Sequence, residues 1–164
     1  MAEQPDELDQ LHPSAQRVAS ALRERGVRGP IRQFAASTKT SADAARALDC
    51  EVGAIASCLV FMMDENPIVV VKSGVHRVDT QRLATFAGGE RVRQATPDEV
   101  RAATGQPIGG VSPVGWPGAL RVFIDETLAQ FEPVWSACGT PNAVFATTFD
   151  ELCRLTGATP LALG

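Results

Sequence analysis

The chain has 164 residues, of which 45% are hydrophobic, enough to bury the core of one domain without help from disulfides or metals. Its formal net charge of −4 disfavours a protein that coats nucleic acid indiscriminately. Apolar runs stay shorter than about eighteen residues and the first residues are acidic, so neither a membrane span nor a secretion signal is predicted. We therefore expect a single cytoplasmic domain over residues 1–164, with residues 1–11 as a flexible acidic N-terminus.

The first fifty residues predict two helices and one strand. Apolar residues at 15, 18, 19 and 22 share one face of an amphipathic helix that begins near Ser14 and stops at Gly26. The segment "IRQFA" (31–35) reads as a short strand. Thr40 and Asp43 have the spacing of a helix cap, which predicts a second helix near residues 41–49.

The middle of the chain predicts a hairpin of buried strands. The runs "VGAIASCLVFMM" (52–63) and "PIVVVKSG" (67–74) are rich in β-branched residues and are joined across "DENP". Asp79 caps a predicted helix that ends at Gly88, and Thr96 caps another that ends at Gly105.

Strands 120–125, 133–139 and 142–148 and a helix over 150–157 complete the prediction. Connections between these last strands are too short for parallel crossovers. Because helices and strands mix irregularly, the predicted class is α+β, with a mixed, mainly antiparallel β-sheet flanked by helices.

The cysteine pattern bears on whether the chain binds a metal. The four cysteines, Cys50, Cys58, Cys138 and Cys153, are far apart and the chain has two histidines, so reduced thiols are expected and neither a metal nor another cofactor is predicted.

Residues 12–42 carry six basic side chains against one acidic one. A patch of that charge would hold a few phosphates, with Arg23, Arg25, Arg28 and Lys39 as the predicted nucleic-acid contacts. A solvated helix face explains the same pattern without a ligand.

The stretch "TGQPIGGVSPVGWPG" (104–118) contains five glycines and three prolines. It lacks the Gly-Lys-Ser/Thr ending of a P-loop, and it follows a helix and precedes a strand, the reverse of a dinucleotide-binding loop. Glycine permits close backbone approach and proline restricts motion, so the loop suits backbone N–H donors aimed at a developing oxyanion. A plain surface loop is the alternative that the residues alone leave open.

The segments "VGAIASCLVF", "SGVHRVDTQRLA", "ATPDEVRAATGQPIGGVSPVG", "VFIDETL" and "ELCRLTGA" resemble the YbaK/EbsC-type aminoacyl-tRNA deacylases, relatives of the editing domain of bacterial prolyl-tRNA synthetases. The resemblance covers about residues 40–158. It implies hydrolysis in trans of the ester between a wrong amino acid and the 3′-terminal adenosine of a tRNA. Implied partners are the acceptor stem of an aminoacyl-tRNA and an aminoacyl-tRNA synthetase.

The resemblance also implies the site. Gly109 and Gly110 would donate N–H groups to the scissile carbonyl, a tRNA ribose hydroxyl would help the attacking water, and no protein base is needed. The residues implied to contact substrate are Val111, Ser112, Pro113, Gly115, Trp116, Asp125, Ile55 and Leu59. Two of these keep a second interpretation: Asp125 as a turn former and Trp116 as a packing residue.

Ser57 departs from the family pattern, because the family places a lysine at this point of "I-x-K-S-L-V-F". Ser57 shares a strand face with Ile55 and Leu59, whereas Cys58 points to the opposite face. Three interpretations remain open. Ser57 marks a subfamily in which its hydroxyl binds the substrate amine or the water; the chain has lost catalysis and binds tRNA or amino acid without hydrolysis; or Lys72 or Lys39 reaches the site from another element.

Overall fold

The computed structural model describes residues 11–34 and 40–163. Over those residues the helices are α1 (Pro13–Glu24), α2 (Ser41–Leu48), α3 (Thr80–Ala87), α4 (Pro97–Thr104) and α5 (Phe149–Thr156). The strands are β1 (Ile31–Gln33), β2 (Ile55–Met63), β3 (Asn66–Ser73), β4 (Val92–Gln94), β5 (Arg121–Asp125), β6 (Val134–Ala137), β7 (Ala143–Thr147) and β8 (Thr159–Leu161). No described helix is both long and apolar enough to cross a membrane.

The helix ends lie where their local signals predict. Thr96 accepts a hydrogen bond from the Glu99 N–H while the Glu99 carboxylate accepts one from the Thr96 N–H, which forms a complete capping box. The Asp79 carboxylate caps α3 by accepting hydrogen bonds from the Gln81 and Arg82 N–H groups. Gly88 and Gly105 end their helices in the left-handed conformation, which glycine adopts without steric cost.

The strands form one mixed sheet in the order β1-β7-β6-β2-β3-β5-β8, with β4 also paired to β2. Four strand pairs are antiparallel and three are parallel. The α+β class and the mixed sheet are confirmed. β5 and β6 follow each other in sequence but are not neighbours in the sheet: the segment that contains the 3₁₀ helix Glu126–Gln130 connects them, and β3 and β2 lie between them.

Other differences from the sequence prediction are local. β4 and β8 were not predicted, and residues Val52–Ala54 form a 3₁₀ helix in place of the first residues of a strand. Leu11, assigned to a flexible N-terminus, is buried with α1 in an apolar cluster. The other residues of that predicted segment, and Lys39, lie outside the described residues.

The sheet is covered on both faces. On one face, Cys58, Val60 and Met62 of β2 pack with α4 and α5 in the main core, and α1 covers β7 beside them. On the other face, Phe61 packs with α3, while Ile55 packs with α2. Alternate residues of β2 therefore pack against the helices on the two opposite faces of the sheet.

The sheet has a gap beside β2. β2 pairs with β6 through Ile55 and Ala56, and with β4 from Phe61 onward. Within the described chain, no strand pairs with residues 57–59 on that side. The loop after α4 approaches this gap, since Gly109 and Val111 share cavities with Cys58 and Leu59.

Candidate active site

A cavity of about 230 Å³ opens at the gap in the sheet. Its floor is the face of β2 and β3 that carries Ser57 and Lys72. Its walls are the first turn of α2, the β6–β7 hairpin and the loop after α4. The lining residues are Thr40, Ser41, Ala44, Ile55, Ala56, Ser57, Cys58, Leu59, Lys72, Gly109, Val111, Trp135, Ala137, Pro141, Ala143 and Val144. Five of the predicted site residues therefore meet in this cavity. Three lie on β2 and two lie in the loop after α4: Ile55, Ser57, Leu59, Gly109 and Val111.

Ser57 and Lys72 face each other across the β2–β3 hairpin. They are register partners in the antiparallel ladder, so their side chains leave the same face of the sheet at the closest cross-strand spacing. The Ser57 hydroxyl lies 3.5 Å from that of Ser41 at the start of α2. The Lys72 ammonium, half-buried, donates to the Ser73 carbonyl at 3.4 Å. The cavity thus contains a lysine, although it lies on β3 and not on β2.

The electrostatics of the cavity favour a ligand that accepts hydrogen bonds. Among the described residues that line it, none is acidic and Lys72 is the one with a positive charge. Burial lowers the pKa of Lys72; the Asp125 carboxylate opposes that shift and Arg77 adds to it. Within the described chain, no carboxylate lies within 4.0 Å of the ammonium, so Lys72 forms no ion pair there.

The loop from Pro107 to Gly118 has two halves. In the inner half, Pro107–Val111, the Gly110 N–H donates to the Pro107 carbonyl at 2.9 Å, which closes a tight turn. Gly109 adopts φ +82° and lines the cavity. Within the described residues, the N–H groups of Gly109 and Val111 have no acceptor in the protein.

Gly110 therefore has a different role from the one predicted. Its N–H is used inside the turn and is not a donor to a ligand in this structure. A Cβ at this position would lie 2.6 Å from the Thr140 carbonyl carbon, so the glycine allows two backbone segments to touch. The Gly110 N–H is therefore not available in the way that was predicted, whereas the N–H groups of Gly109 and Val111 have no acceptor among the described residues.

The outer half, Ser112–Gly118, is held by its own hydrogen bonds. The buried Gln106 side chain accepts from the Ser112 N–H at 2.7 Å and donates to the Val114 carbonyl at 2.9 Å. The Ser112 hydroxyl also donates to the Val114 carbonyl, and the Trp116 indole N–H donates to the Ser112 carbonyl at 3.0 Å. These polar groups are occupied within the protein.

Consequently, four predicted substrate contacts do not line the cavity: Ser112, Pro113, Gly115 and Trp116. Pro113, Gly115 and Trp116 line a separate surface groove together with Arg25 of the α1 end. Trp116 packs against the main core, as its alternative interpretation proposed. The sequence did not show where the chain turns away from the cavity.

Asp125 also lies outside the cavity lining and is fully buried. Its carboxylate accepts from the Ser73 N–H at 3.0 Å and from the Thr127 N–H at 3.0 Å, and it lies 2.8 Å from His76 Nδ1. It therefore caps the 3₁₀ helix, as the turn-former interpretation proposed, and ties the end of β3 to β5. Asp125 holds the strand that carries Lys72 and does not contact the cavity itself.

The Cys58 thiol lies on the opposite face of β2 from Ser57, as predicted, and burial raises its pKa to about 12. A protonated, buried thiol is a poor nucleophile. Cys58 contributes to the cavity wall without supplying chemistry.

The predicted nucleic-acid arginines lie around the C-terminal end of α1. Arg23 donates to the Val27 and Gly29 carbonyls and so closes the turn after α1. Arg28 donates to the Arg23 carbonyl, and Arg25 lies in the groove beside the outer half of the loop. The other end of α1 is near the cavity, since Ser14 donates to the Gly139 carbonyl at 2.8 Å in the β6–β7 turn.

Sequence reasoning missed several lining residues. Trp135, predicted to be core, is partly buried and pairs with Ile55 at the cavity wall. Ser41 and Val144 reach the cavity from α2 and β7. Strand alternation places Trp135 on one face of β6, but the parallel pairing of β6 with β2 is what brings it to the site.

Known proteins show the same fold and sequence pattern. Residues 35–155 match the aminoacyl-tRNA editing domain family. A crystal structure of a candidate trans-editing enzyme for prolyl tRNA synthetase superposes with a TM-score of 0.88 and 43% identity, covering 94% of this chain and 98% of its own. The uncharacterized protein YwhH of Bacillus subtilis is 32% identical over 74% of this chain and 78% of its own.

A third relative carries a functional name. EbsC of Enterococcus faecalis, a candidate Cys-tRNA(Pro)/Cys-tRNA(Cys) deacylase, is 26% identical over 68% of this chain and 74% of its own length. The match over residues 35–155 and the similarity to YwhH show that the chain belongs to the aminoacyl-tRNA editing domain family. Within it, the chain is of the YbaK/EbsC type.

Proposed function

We propose that this protein is an aminoacyl-tRNA deacylase that hydrolyses mischarged tRNA in trans. The observation that carries the proposal is the cavity, which is lined both by Gly109 and Val111, whose N–H groups have no acceptor among the described residues, and by Ser57 and Lys72 of the strand floor. Family membership over residues 35–155 supports aminoacyl-tRNA as the substrate class.

The chemistry follows from what the cavity offers. Water adds to the ester carbonyl carbon, the bond from that carbon to the ribose oxygen breaks, and the ribose oxygen takes a proton. The products are a free amino acid and a tRNA with its terminal hydroxyl restored. Because no described lining residue is acidic, the proton from the water passes to the substrate side, through a ribose hydroxyl of the terminal adenosine.

The N–H groups of Gly109 and Val111 stabilise the oxyanion of the tetrahedral intermediate. Donors fixed before reaction need no reorganisation when charge develops, and one such donor is worth about 10²–10³ in rate. The Gly110 turn and its contact with Thr140 hold these donors in place. The loop thus combines a hydrogen-bonded turn with exposed backbone donors.

Ser57 supports a second function, a module that binds tRNA or amino acid without hydrolysis. The family resemblance implies a lysine at this position, and a hydroxyl carries no charge. A single-turnover assay separates the two functions. We expect wild-type protein to release the amino acid from at least one of alanyl-, cysteinyl- or seryl-tRNA(Pro) faster than spontaneous hydrolysis; tRNA binding without release from any mischarged tRNA would establish the binding module.

The oxyanion role of the inner loop has a matched test. Gly109→Ala and Gly157→Ala both place a Cβ at positive φ, +82° and +67°, without a clash: the first would lie in ordinary contact with Pro141 at 3.8 Å and the second in open space, so each should cost about 1–2 kcal/mol of stability. Only Gly109 lines the cavity. We expect Gly109→Ala to slow deacylation by at least about tenfold through misaimed donors, and Gly157→Ala to leave the rate unchanged. Equal rates for the two variants would remove the loop from the chemistry.

A further inference from the structure

We infer that Lys72 is a catalytic residue of this protein, supplying from β3 the positive charge that holds the ester carbonyl oxygen during hydrolysis. This inference rests on the proposed deacylase function. It comes from the hairpin register, which places Lys72 directly opposite Ser57 at the floor of the cavity.

Position and reach favour the assignment. Ser57 and Lys72 are nearest cross-strand neighbours on one face of the sheet. An ammonium on either strand therefore reaches the same part of the cavity. The lysine stem has four carbons and rotates freely enough to leave the Ser73 carbonyl, which accepts from the ammonium at 3.4 Å, a long hydrogen bond. The side chain can therefore turn toward a bound ester.

The surroundings of Lys72 are unusual for a structural lysine. It is half-buried, it has no carboxylate within 4.0 Å among the described residues, and the other described side chains of the lining carry no charge. The first turn of α2, with Thr40 and Ser41, also faces the cavity and adds partial positive charge. A desolvated cation without an ion pair is destabilising. Such groups are typical of functional sites, where a bound ligand supplies the missing hydrogen-bond acceptor.

In the proposed step, Lys72 changes no bond of its own. Water adds to the carbonyl carbon, and the carbonyl oxygen becomes an oxyanion that accepts hydrogen bonds from the ammonium and from the inner-loop N–H groups. When the ribose oxygen leaves and takes a proton, the carbonyl reforms. The ammonium remains protonated throughout, so no proton is gained or lost at Nζ.

Removing the charge while keeping the stem is the first test. We expect Lys72→Met to lower the single-turnover rate by on the order of 10², and Lys72→Arg to recover part of that loss. Arg101→Ala, which removes one exposed positive charge of α4, is the control and should keep the wild-type rate. Lys72→Met should unfold at the same or a higher urea concentration than wild type, because a desolvated charge is gone. A wild-type rate in folded Lys72→Met would overturn the inference and leave the deacylase proposal standing.

Moving the charge across the hairpin is the second test. The double variant Ser57→Lys/Lys72→Ser carries the ammonium on β2 and a hydroxyl on β3, with the same groups in the same cavity. We expect it to be at least about tenfold faster than Lys72→Ser alone. If the double variant is as slow as Lys72→Ser although both are folded, the charge at the shared floor is not what matters, and the inference fails.

The pH dependence of the deacylation rate shows which protonation state of Lys72 acts in the reaction. The charged groups that act on Lys72 are Asp125 of β5 and Arg77 after β3, and burial lowers the Lys72 pKa. If the ammonium form is required, the rate relative to spontaneous hydrolysis falls as pH rises through that lowered pKa. A relative rate that rises over the same range would show neutral lysine acting as a base and overturn the cation role. An inert wild type at every pH would instead refute the deacylase function itself.

Discussion

The two halves of the glycine-rich loop have similar composition and different roles. In the inner half, Pro107–Val111, the cavity-lining residues Gly109 and Val111 have N–H groups without an acceptor among the described residues, whereas the outer half, Ser112–Gly118, uses its polar groups to hold itself in shape. Glycine content therefore does not identify the functional part of such a loop. The hydrogen-bond partners of each N–H do, because only an unpaired donor is available to an oxyanion.

The largest expected effect on stability is at Gly110, where the inner half touches the β6–β7 turn. In Gly110→Ala, the new Cβ would lie 2.6 Å from the Thr140 carbonyl carbon, a backbone atom that cannot rotate away. We expect a loss of about 3 kcal/mol in the free energy of unfolding. Gly118→Ala in the outer half is the control, since its Cβ has no atom within 4 Å. Urea unfolding of the two variants measures the difference, and equal midpoints would contradict the backbone contact.

A smaller effect is expected at Gln106, which braces the outer half. Gln106→Leu keeps the side-chain volume but leaves the buried Ser112 N–H without its acceptor. Such a loss costs about 1–3 kcal/mol of stability. Because the outer half does not line the cavity, the deacylation rate of the folded variant should stay within about threefold of wild type. A large loss of rate without loss of stability would mean that the two halves are not separate in role.

The Trp116 indole N–H offers a milder version of the same test. Trp116→Phe removes the hydrogen bond to the Ser112 carbonyl and keeps an aromatic ring against the core. We expect about 1 kcal/mol of destabilisation and an unchanged order of preferred aminoacyl groups. Thermal unfolding and the mischarged-tRNA panel measure these two quantities. A changed preference would return Trp116 to the substrate contacts.

The smallest expected effect concerns tRNA binding beside the outer half. Arg23 closes a turn, so the informative variant is Arg25→Ala/Arg28→Ala, which keeps the Arg23 side chain and its hydrogen bonds to the Val27 and Gly29 carbonyls. If these two side chains contact phosphates, the slope of log affinity against log salt should fall in magnitude by about 2. Arg91→Ala/Arg101→Ala is the control with the same change in charge. An equal slope for both double variants would assign Arg25 and Arg28 to surface solvation.

The sequence by itself determined the features that depend on near neighbours in the chain. Asp79 and Thr96 cap the helices they were predicted to cap, and Gly88 and Gly105 end them, because the hydrogen bonds and backbone angles concerned lie within a few residues. The family resemblance also followed from short segments, and the α+β class from the mixture of elements. The three-residue strand β4 was missed, since its pairing with β2 defines it and its own residues do not.

The tertiary structure determined which residues meet at the site, and the hairpin turn between β2 and β3 shows why. The predicted strand bounds, 52–63 and 67–74, would have placed Met63 opposite Pro67, which shifts the register by one residue and separates Ser57 from Lys72. The observed turn is tighter: Asp64 and Glu65 both adopt positive φ, and Met63 pairs with Asn66. Glycine, the usual signal for such a turn, is absent here. The conformation is supported from a distance by the Asp64 carboxylate, which accepts from the Glu90 and Arg91 N–H groups. A contact between residues 26 positions apart thus fixes the register that places Lys72 opposite Ser57, and no local pattern in the sequence records it.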